Sequence, residues 1–461
     1  MGVTADMAAW VESVSLAHVP AEAVQRGRSA VIDTVAAILA GTVEPVSRIA
    51  ARCAAEDAGS PIAAMLGTAF RCPPEAAALL NGISGHALDY DDVGASATGH
   101  PSVVVFPAAL AAAELVGASG RQLLEGYLVG IEVMAKLGLA MGHEHYVRGW
   151  HATSTLGTLG AAMAAGKVIG LSQEQLAHAL AISISEASGS RQNFGTMVKP
   201  FHAGHAASCG VRAARLASHG MTGAAEALEA PLGFFALFSF GHAQPSTAAE
   251  SLGHPWDILS AGLSVKKYPC CFATHRAADG VLDLRSENSV QAGDVNAVRV
   301  TVPVGLMAPL IHRRPRTGLQ AKFSLEYVVA AGLVDGAVTL DSFTDRMVQR
   351  PEITELCERV EISEDSSIET HSNPIENGHV NVELTLRDGR RLSRRVREPR
   401  GGPGLPLAPE QLAAKFDDCA KGVLMPDSAA SALARLRRLD SEPDLIALIA
   451  DLTAAAPARV V

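Results

Sequence analysis

Residues 81–102, NGISGHALDYDDVGASATGHPS, place two histidines (His86, His100) and three carboxylates (Asp89, Asp91, Asp92) in one Gly-rich passage. Ionisable groups at that density are costly near a core unless they are paired or used. Histidine and carboxylate are the commonest general acids and bases, so proton transfer is the chemistry this set could perform. An Ala-rich apolar stretch follows directly, which puts the set at the mouth of a helix. Asp89 and Asp92 are three apart and would share a face if the passage is helical. Helix capping by aspartate, with one packed histidine, is the competing structural explanation.

Two further passages carry reactive groups. HEHYVRGWHATSTLG brings His143, His145 and His151 close together with Glu144. The spacing is not HExxH, and no Cys or further His falls at a zinc spacing, so no metal is expected. Tyr146 and Arg148 could reach the cleft that holds His151, or be ordinary loop residues. In MVKPFHAGHAA, Pro200 disfavours helix at Lys199 and predicts a helix starting just after it. A lysine beside a helix N-terminus is a ready carboxylate site, although an exposed lysine is the commoner case. His202 and His205 read as packing or supporting groups. Cys270 and Cys271 read as packing residues, since no dedicated base stands nearby in sequence. Lys322 and the run Arg313, Arg314, Arg316 could add anion contacts, or the run could be a solvated loop. There is no Walker loop and no GxGxxG opening a helix, so no nucleotide, flavin or pyridoxal cofactor is expected.

These residues need elements to hold them. A chain of 461 residues exceeds one ordinary core, so two domains are expected. Charged residues make up 19% and hydrophobic ones 48%, which excludes general disorder. Aromatics are only 4%, leaving alanine and aliphatics to do the packing. The net charge of −10 argues against a nucleic-acid surface but not against a small anion. Seven cysteines without regular spacing fit a reduced, cytoplasmic protein. The N-terminus shows no signal-peptide pattern, and no membrane segment is expected.

Apolar spacing of three and four predicts helices over 22–40, 104–117, 122–141, 155–169 and 174–188. Ser172 with Gln175 reads as a capping box, and Gly120 and Gly170 as helix ends. Near 263 the pattern changes. Residues 296–303 and 379–386 alternate as strands, and Asp388-Gly389 signals a hairpin. Helical pattern lies between them over 321–336 and 340–348. Residues 400–405 read as a linker, and helix returns over 409–454. The fold class is mainly α with an α+β part: a large helical domain built from both chain ends (1–262 and 400–461) and an inserted, smaller α+β domain (263–399). The Ala-rich helices of 104–188 offer more apolar surface than one helical domain needs, which predicts a homodimer.

Six passages in this order also resemble the MmgE/PrpD family: VIDTVAAILAG (31–41), residues 81–102, GWHATSTLGTLGAA (149–162), MVKPFHAGHAA (197–207), KKYPCCFATHRAADG (266–280) and AKFSLEYVVA (321–330). Its members include 2-methylcitrate dehydratase, cis-aconitate decarboxylase and iminodisuccinate epimerase. The resemblance implies a helical domain, a lid domain and an active site between them. It implies pocket roles for Asp89, His100, His151, Lys199, His275 and Tyr327. It also implies proton abstraction next to a carboxylate of a di- or tricarboxylic acid, without a cofactor. His151, His100 and His275 are then the candidate bases and acids, Asp89 orients one of them, and Lys199 and Arg148 are the cations. Loss of water, as in 2-methylcitrate dehydratase, is the leading expectation. Epimerisation, decarboxylation and carboxylate binding without catalysis are the alternatives. Against cis-aconitate decarboxylase, Val93 stands where that enzyme has threonine, and the span from Asp89 to His100 is longer by one.

Overall fold

The computed structural model describes residues 2–454 apart from 58, 371–373 and 376. The chain divides into two compact units. One joins the residues up to Leu263 with those from Ala408 onward, and the other comprises Ser264–Leu407. The fold is mainly α with an α+β part. No single helix among the described residues is long and apolar enough to cross a membrane.

The first unit contains α1 (Ala21–Gly41), α2 (Pro74–His86), α3 (Ser102–Val116), α4 (Gly120–Met141), α5 (Ala152–Ile169), α6 (Gln173–Ile184) and α7 (Val198–Ser218). Helices α3 and α5 are buried along nearly their whole length. Their sequences are accordingly apolar and small all round rather than striped. Small residues also set how closely helices meet. A Cβ on Gly82 of α2 would stand 2.6 Å from the Cα of Gly204 in α7. Glycine at both positions lets the two backbones touch, which draws the end of α2 toward the start of α7.

Two helix boundaries differ from the sequence reading. Gly120 opens α4 instead of ending a helix. Ser119 caps that helix with Gln122 in a capping box, while Gly117, at φ +66°, ends α3. Lys199 and Pro200 lie inside the first turn of α7. A proline is tolerated there because its missing N–H would have no intrahelical partner anyway. The capping box of Ser172 and Gln175 is present at the start of α6, and Gly170, at φ +83°, ends α5.

The second unit carries α8 (His275–Asn288), α9 (Leu325–Asp335) and one four-stranded sheet: β1 (Val295–Pro303), β2 (Val360–Asp365), β3 (Val380–Leu386) and β4 (Arg391–Val396). The strand order is β2-β1-β3-β4, with β1 parallel to β2 and antiparallel to β3, and β3 antiparallel to β4. Val382 and Leu384 alternate inward with Val298 and Val300, and pack with Val281 and Leu284 of α8 and Val328 of α9 in one core. The β3–β4 turn uses Gly389 at φ +88°, a conformation glycine adopts without a Cβ clash. Strand β2 was not expected. It is a short, acidic edge strand (VEISED) whose residues are only partly buried or exposed, so its alternation carries little apolar contrast. The last helices belong to the first unit and include α10 (Pro409–Ala420). Residues 455–461, at the end of the expected C-terminal segment, lie outside the described residues.

Candidate active site

Four helix ends meet around the passage that carries the reactive groups. His86 is the last residue of α2, and His100 precedes the start of α3 by two residues. His151 occupies the N-cap position of α5, and Lys199 is in the first turn of α7. Three of these ends are N-termini, whose dipoles favour an anion. At α7 the first N–H groups are already used, Val198 and Lys199 donating to Thr196 and Pro200 having none, so the side chains carry the site's polar contacts.

Helix α2 stops at His86, so 87–92 is not helical, and Asp89 and Asp92 do not share a face. Asp89 instead adopts φ +53°, a region that aspartate tolerates better than most residues. Asp89 and Asp91 turn toward the histidines, while Tyr90 and Asp92 make contacts elsewhere. Lys199 Nζ lies 2.5 Å from Asp89 Oδ1. His100 Nε2 lies 3.8 Å from the same oxygen. Asp91 Oδ2 lies 2.8 Å from His86 Nδ1 and 3.2 Å from His100 Nδ1. The His86 and His100 rings meet edge to face at 4.5 Å. His100 is the least enclosed of the set, its side chain 14% exposed against 0% for His86. Its backbone N–H donates to Thr153 Oγ1 of α5 at 3.0 Å, which ties the loop to that helix.

His151 is buried and pairs Nδ1 to Nδ1 with His202 at 3.0 Å, so one ring donates and the other accepts. Burial, then the Lys199 charge, hold His151 well below the ordinary histidine range. Burial likewise lowers His202 to about 4. Both rings are therefore neutral near pH 7. Phe194 closes this side, 4.9 Å from the His151 ring and 5.4 Å from Lys199 Nζ.

The loop is braced from below by groups that sequence spacing could not pair. Lys415 of α10 reaches Asp33 of α1 at 2.6 Å, donates to the Tyr90 carbonyl at 2.8 Å and lies 3.7 Å from the Tyr90 ring. Asp92 accepts from the Ser102 hydroxyl, which also meets Tyr127 Oη at 2.6 Å. Burial pushes the Asp92 carboxyl up to about 8, and Asp33 and Asp91 add to the rise. An unfolded aspartate titrates near 3.9. The folded chain thus holds an extra proton between those values, and Asp92 costs stability as pH rises from about 4 to about 8. Asp92→Asn should therefore raise the melting temperature relative to wild type by more at pH 8 than at pH 5. Equal differences at both pH values would contradict this.

Other residues named from sequence have contacts of their own. Arg148 is exposed and bonds Glu144 at 2.6 Å, so it is not gathered with Asp89 and Lys199. The cation beside Tyr146 is Arg191, which the sequence reading missed. It lies 3.7 Å above the Tyr146 ring, bonds the Tyr146 carbonyl and lies 5.6 Å from Phe194. His145 bonds the Phe238 carbonyl and Thr155, so the His143–His145–His151 cluster does not share a centre. In the second unit, His275 Nε2 lies 3.3 Å from the Cys270 carbonyl. The Tyr327 hydroxyl donates to the Ser342 carbonyl. Lys322 is buried and donates to the Pro269 carbonyl at 2.7 Å. Burial pushes the Cys270 thiol up to about 12, which suits a packing residue rather than a thiolate.

His86, Asp89, Asp91 and His100 offer ligand atoms all within 4.8 Å of one another, a spacing that a cation could use. Lys199 already brings an ammonium to 2.5 Å from Asp89. A divalent ion there would meet a like charge at close range.

A buried cation, imidazoles and paired carboxylates brought this close are groups that could serve proton chemistry on an anion. The MmgE/PrpD N-terminal domain matches residues 5–246 and the MmgE/PrpD C-terminal domain matches residues 268–440. The chain belongs to the MmgE/PrpD family, and it is a lyase of that family. It is 29% identical to cis-aconitate decarboxylase of Homo sapiens over 99% of this chain and 96% of that protein. It is 31% identical to the Mus musculus enzyme of the same name over 81% and 78%. A cis-aconitate decarboxylase of Aspergillus terreus is 26% identical over 92% and 90%.

Proposed function

We propose that the chain decarboxylates a tricarboxylate of the cis-aconitate type. The observation that carries this reading is that one oxygen, Asp89 Oδ1, lies 2.5 Å from Lys199 Nζ and 3.8 Å from His100 Nε2. Lys199 and the His100 ring thereby share one neighbour, a pairing that suits holding a carboxylate and moving a proton. In such a substrate, the carboxylate that leaves sits one carbon from a C=C bond. The breaking C–C bond supplies the electrons of a new C=C bond as CO₂ departs. The old double bond takes a proton at its far carbon. His100 supplies that proton and regains one from water. Lys199 holds a retained carboxylate beside the carbon that is protonated, where it offsets charge in a water-poor setting. His151 and His202, both neutral, hydrogen-bond rather than donate the proton.

The relatives favour decarboxylation over the dehydration that the sequence alone put first. Val93 and the longer span from Asp89 to His100 remain the features that count against a decarboxylase and leave a dehydratase of the 2-methylcitrate type as the second reading. Steady-state kinetics on cis-aconitate, 2-methylcitrate and aspartate-derived acids separates the two. The highest kcat/KM should fall on cis-aconitate, and a clear preference for 2-methylcitrate would overturn the assignment.

No metal enters this scheme, because Lys199 provides the cation. Turnover should survive prolonged EDTA, whereas loss restored by one divalent ion would contradict the scheme. Assembly as a homodimer is part of the same reading, supported by exposed Leu139, Val147, Leu237 and Phe240 on the helical unit. Light scattering at micromolar concentration should give about twice the 47.8 kDa of one chain, and a stable monomer would count against it. A reducing, cytoplasmic setting fits the seven free cysteines.

A further inference from the structure

We propose that Asp91 is a positioning residue that decides which nitrogen of His100 carries its resident proton, keeping Nδ1 protonated so that Nε2 faces Asp89 and the substrate. The inference rests on the assignment of His100 as proton donor, but its first test does not depend on any substrate.

Asp91 is fully buried, and its carboxylate stands between two rings. His86 Nδ1 lies 2.8 Å and 3.0 Å from its two oxygens, and His100 Nδ1 lies 3.2 Å from Oδ2. Burial alone would raise this carboxyl, but His86 and His100 outweigh it and hold Asp91 well below the usual range. An ionised carboxylate only accepts hydrogen bonds. The His86 nitrogen bonded to it must therefore carry hydrogen, and the His100 nitrogen 3.2 Å away is placed to carry one as well. For His100 that nitrogen is Nδ1, which leaves Nε2 on the side of Asp89 and Lys199 as the atom that gains and gives the catalytic proton. A carboxylate behind a catalytic imidazole fixes tautomer and orientation by the same logic in hydrolases.

His86 completes the arrangement. Its Nε2 makes no hydrogen bond among the described residues, so the Nδ1–H bond to Asp91 is its polar anchor. Its ring then buttresses His100 edge to face at 4.5 Å. One carboxylate thus sets both rings. The adjacent Asp92 has a separate task, since its partner is Ser102.

The test uses the full chain labelled with ¹⁵N-histidine. Long-range ¹H–¹⁵N correlation should report His100 with hydrogen on Nδ1, and a His100 with bare Nδ1 and hydrogen on Nε2 overturns the proposal outright. This measurement needs no variant to fold and no substrate to be turned over. It therefore stands apart from the decarboxylase assignment. In Asp91→Asn the carboxylate is lost at nearly constant shape. The His100 signals should become a tautomer mixture, and kcat should fall by about 10²–10⁴-fold with KM nearly constant. Asp91→Glu, which keeps the charge, should recover part of kcat. A fall in kcat with the tautomer unchanged would mean that Asp91 only supports the fold, and would also overturn the proposal.

Discussion

Lys199→Ala will lower kcat/KM for a tricarboxylate by about 10²–10³-fold, the usual worth of one preorganised charge-stabilising donor. The expectation follows from where the ammonium sits. Lys199 is buried in the first turn of α7, 2.5 Å from Asp89. In a water-poor site its charge counts for more than it would in solvent. If the charge acts more strongly in the transition state than on bound substrate, kcat falls as well as affinity. Lys199→Arg keeps the charge but not the compact geometry and should recover little. The double variant Asp89→Asn/Lys199→Ala should cost much less than the two single losses added, because the residues share one contact. Full additivity in that cycle would show that the pair does not act as a unit.

His100→Gln is expected to cut kcat by about 10²–10⁴-fold with little change in KM, the range for a general acid or base. Glutamine keeps polar contacts to Asp91 but cannot carry a proton near neutral pH. The comparison with His151→Gln is informative, since His151 was the first candidate from sequence. His151 is held neutral by burial and shares its Nδ1 contact with His202. Its variant should retain more solvent-proton incorporation than His100→Gln. If His151→Gln loses that incorporation and His100→Gln keeps it, the proton passes through His151 instead.

Helix and strand positions were legible wherever one period dominated. The spacing over 122–141 and 155–169 and the alternation over 379–386 match α4, α5 and β3 within a few residues. Gly120 misled because glycine signals both ends of a helix, while the Ser119–Gln122 box that starts α4 was there to be read. Edge strand β2 lacked apolar contrast. At the site, the histidine–carboxylate passage announced itself by density alone. Which carboxylate serves which ring did not, because that depends on α2 ending at His86 and on the unusual backbone of Asp89. The Asp33–Lys415 pair joins opposite ends of the chain, and no local pattern encodes such a contact. Arg148 and Arg191 are equally basic in sequence, and only the fold puts Arg191 over Tyr146 and leaves Arg148 with Glu144.

The most direct test of the account follows cis-aconitate with the wild-type protein in D₂O by ¹³C and ²H NMR. The account predicts one CO₂ released per substrate consumed, a shifted double bond, and one deuterium on the methylene carbon next to a retained carboxylate. Consumption by addition or loss of water without CO₂, or deuterium exchange into otherwise unchanged substrate, would contradict it.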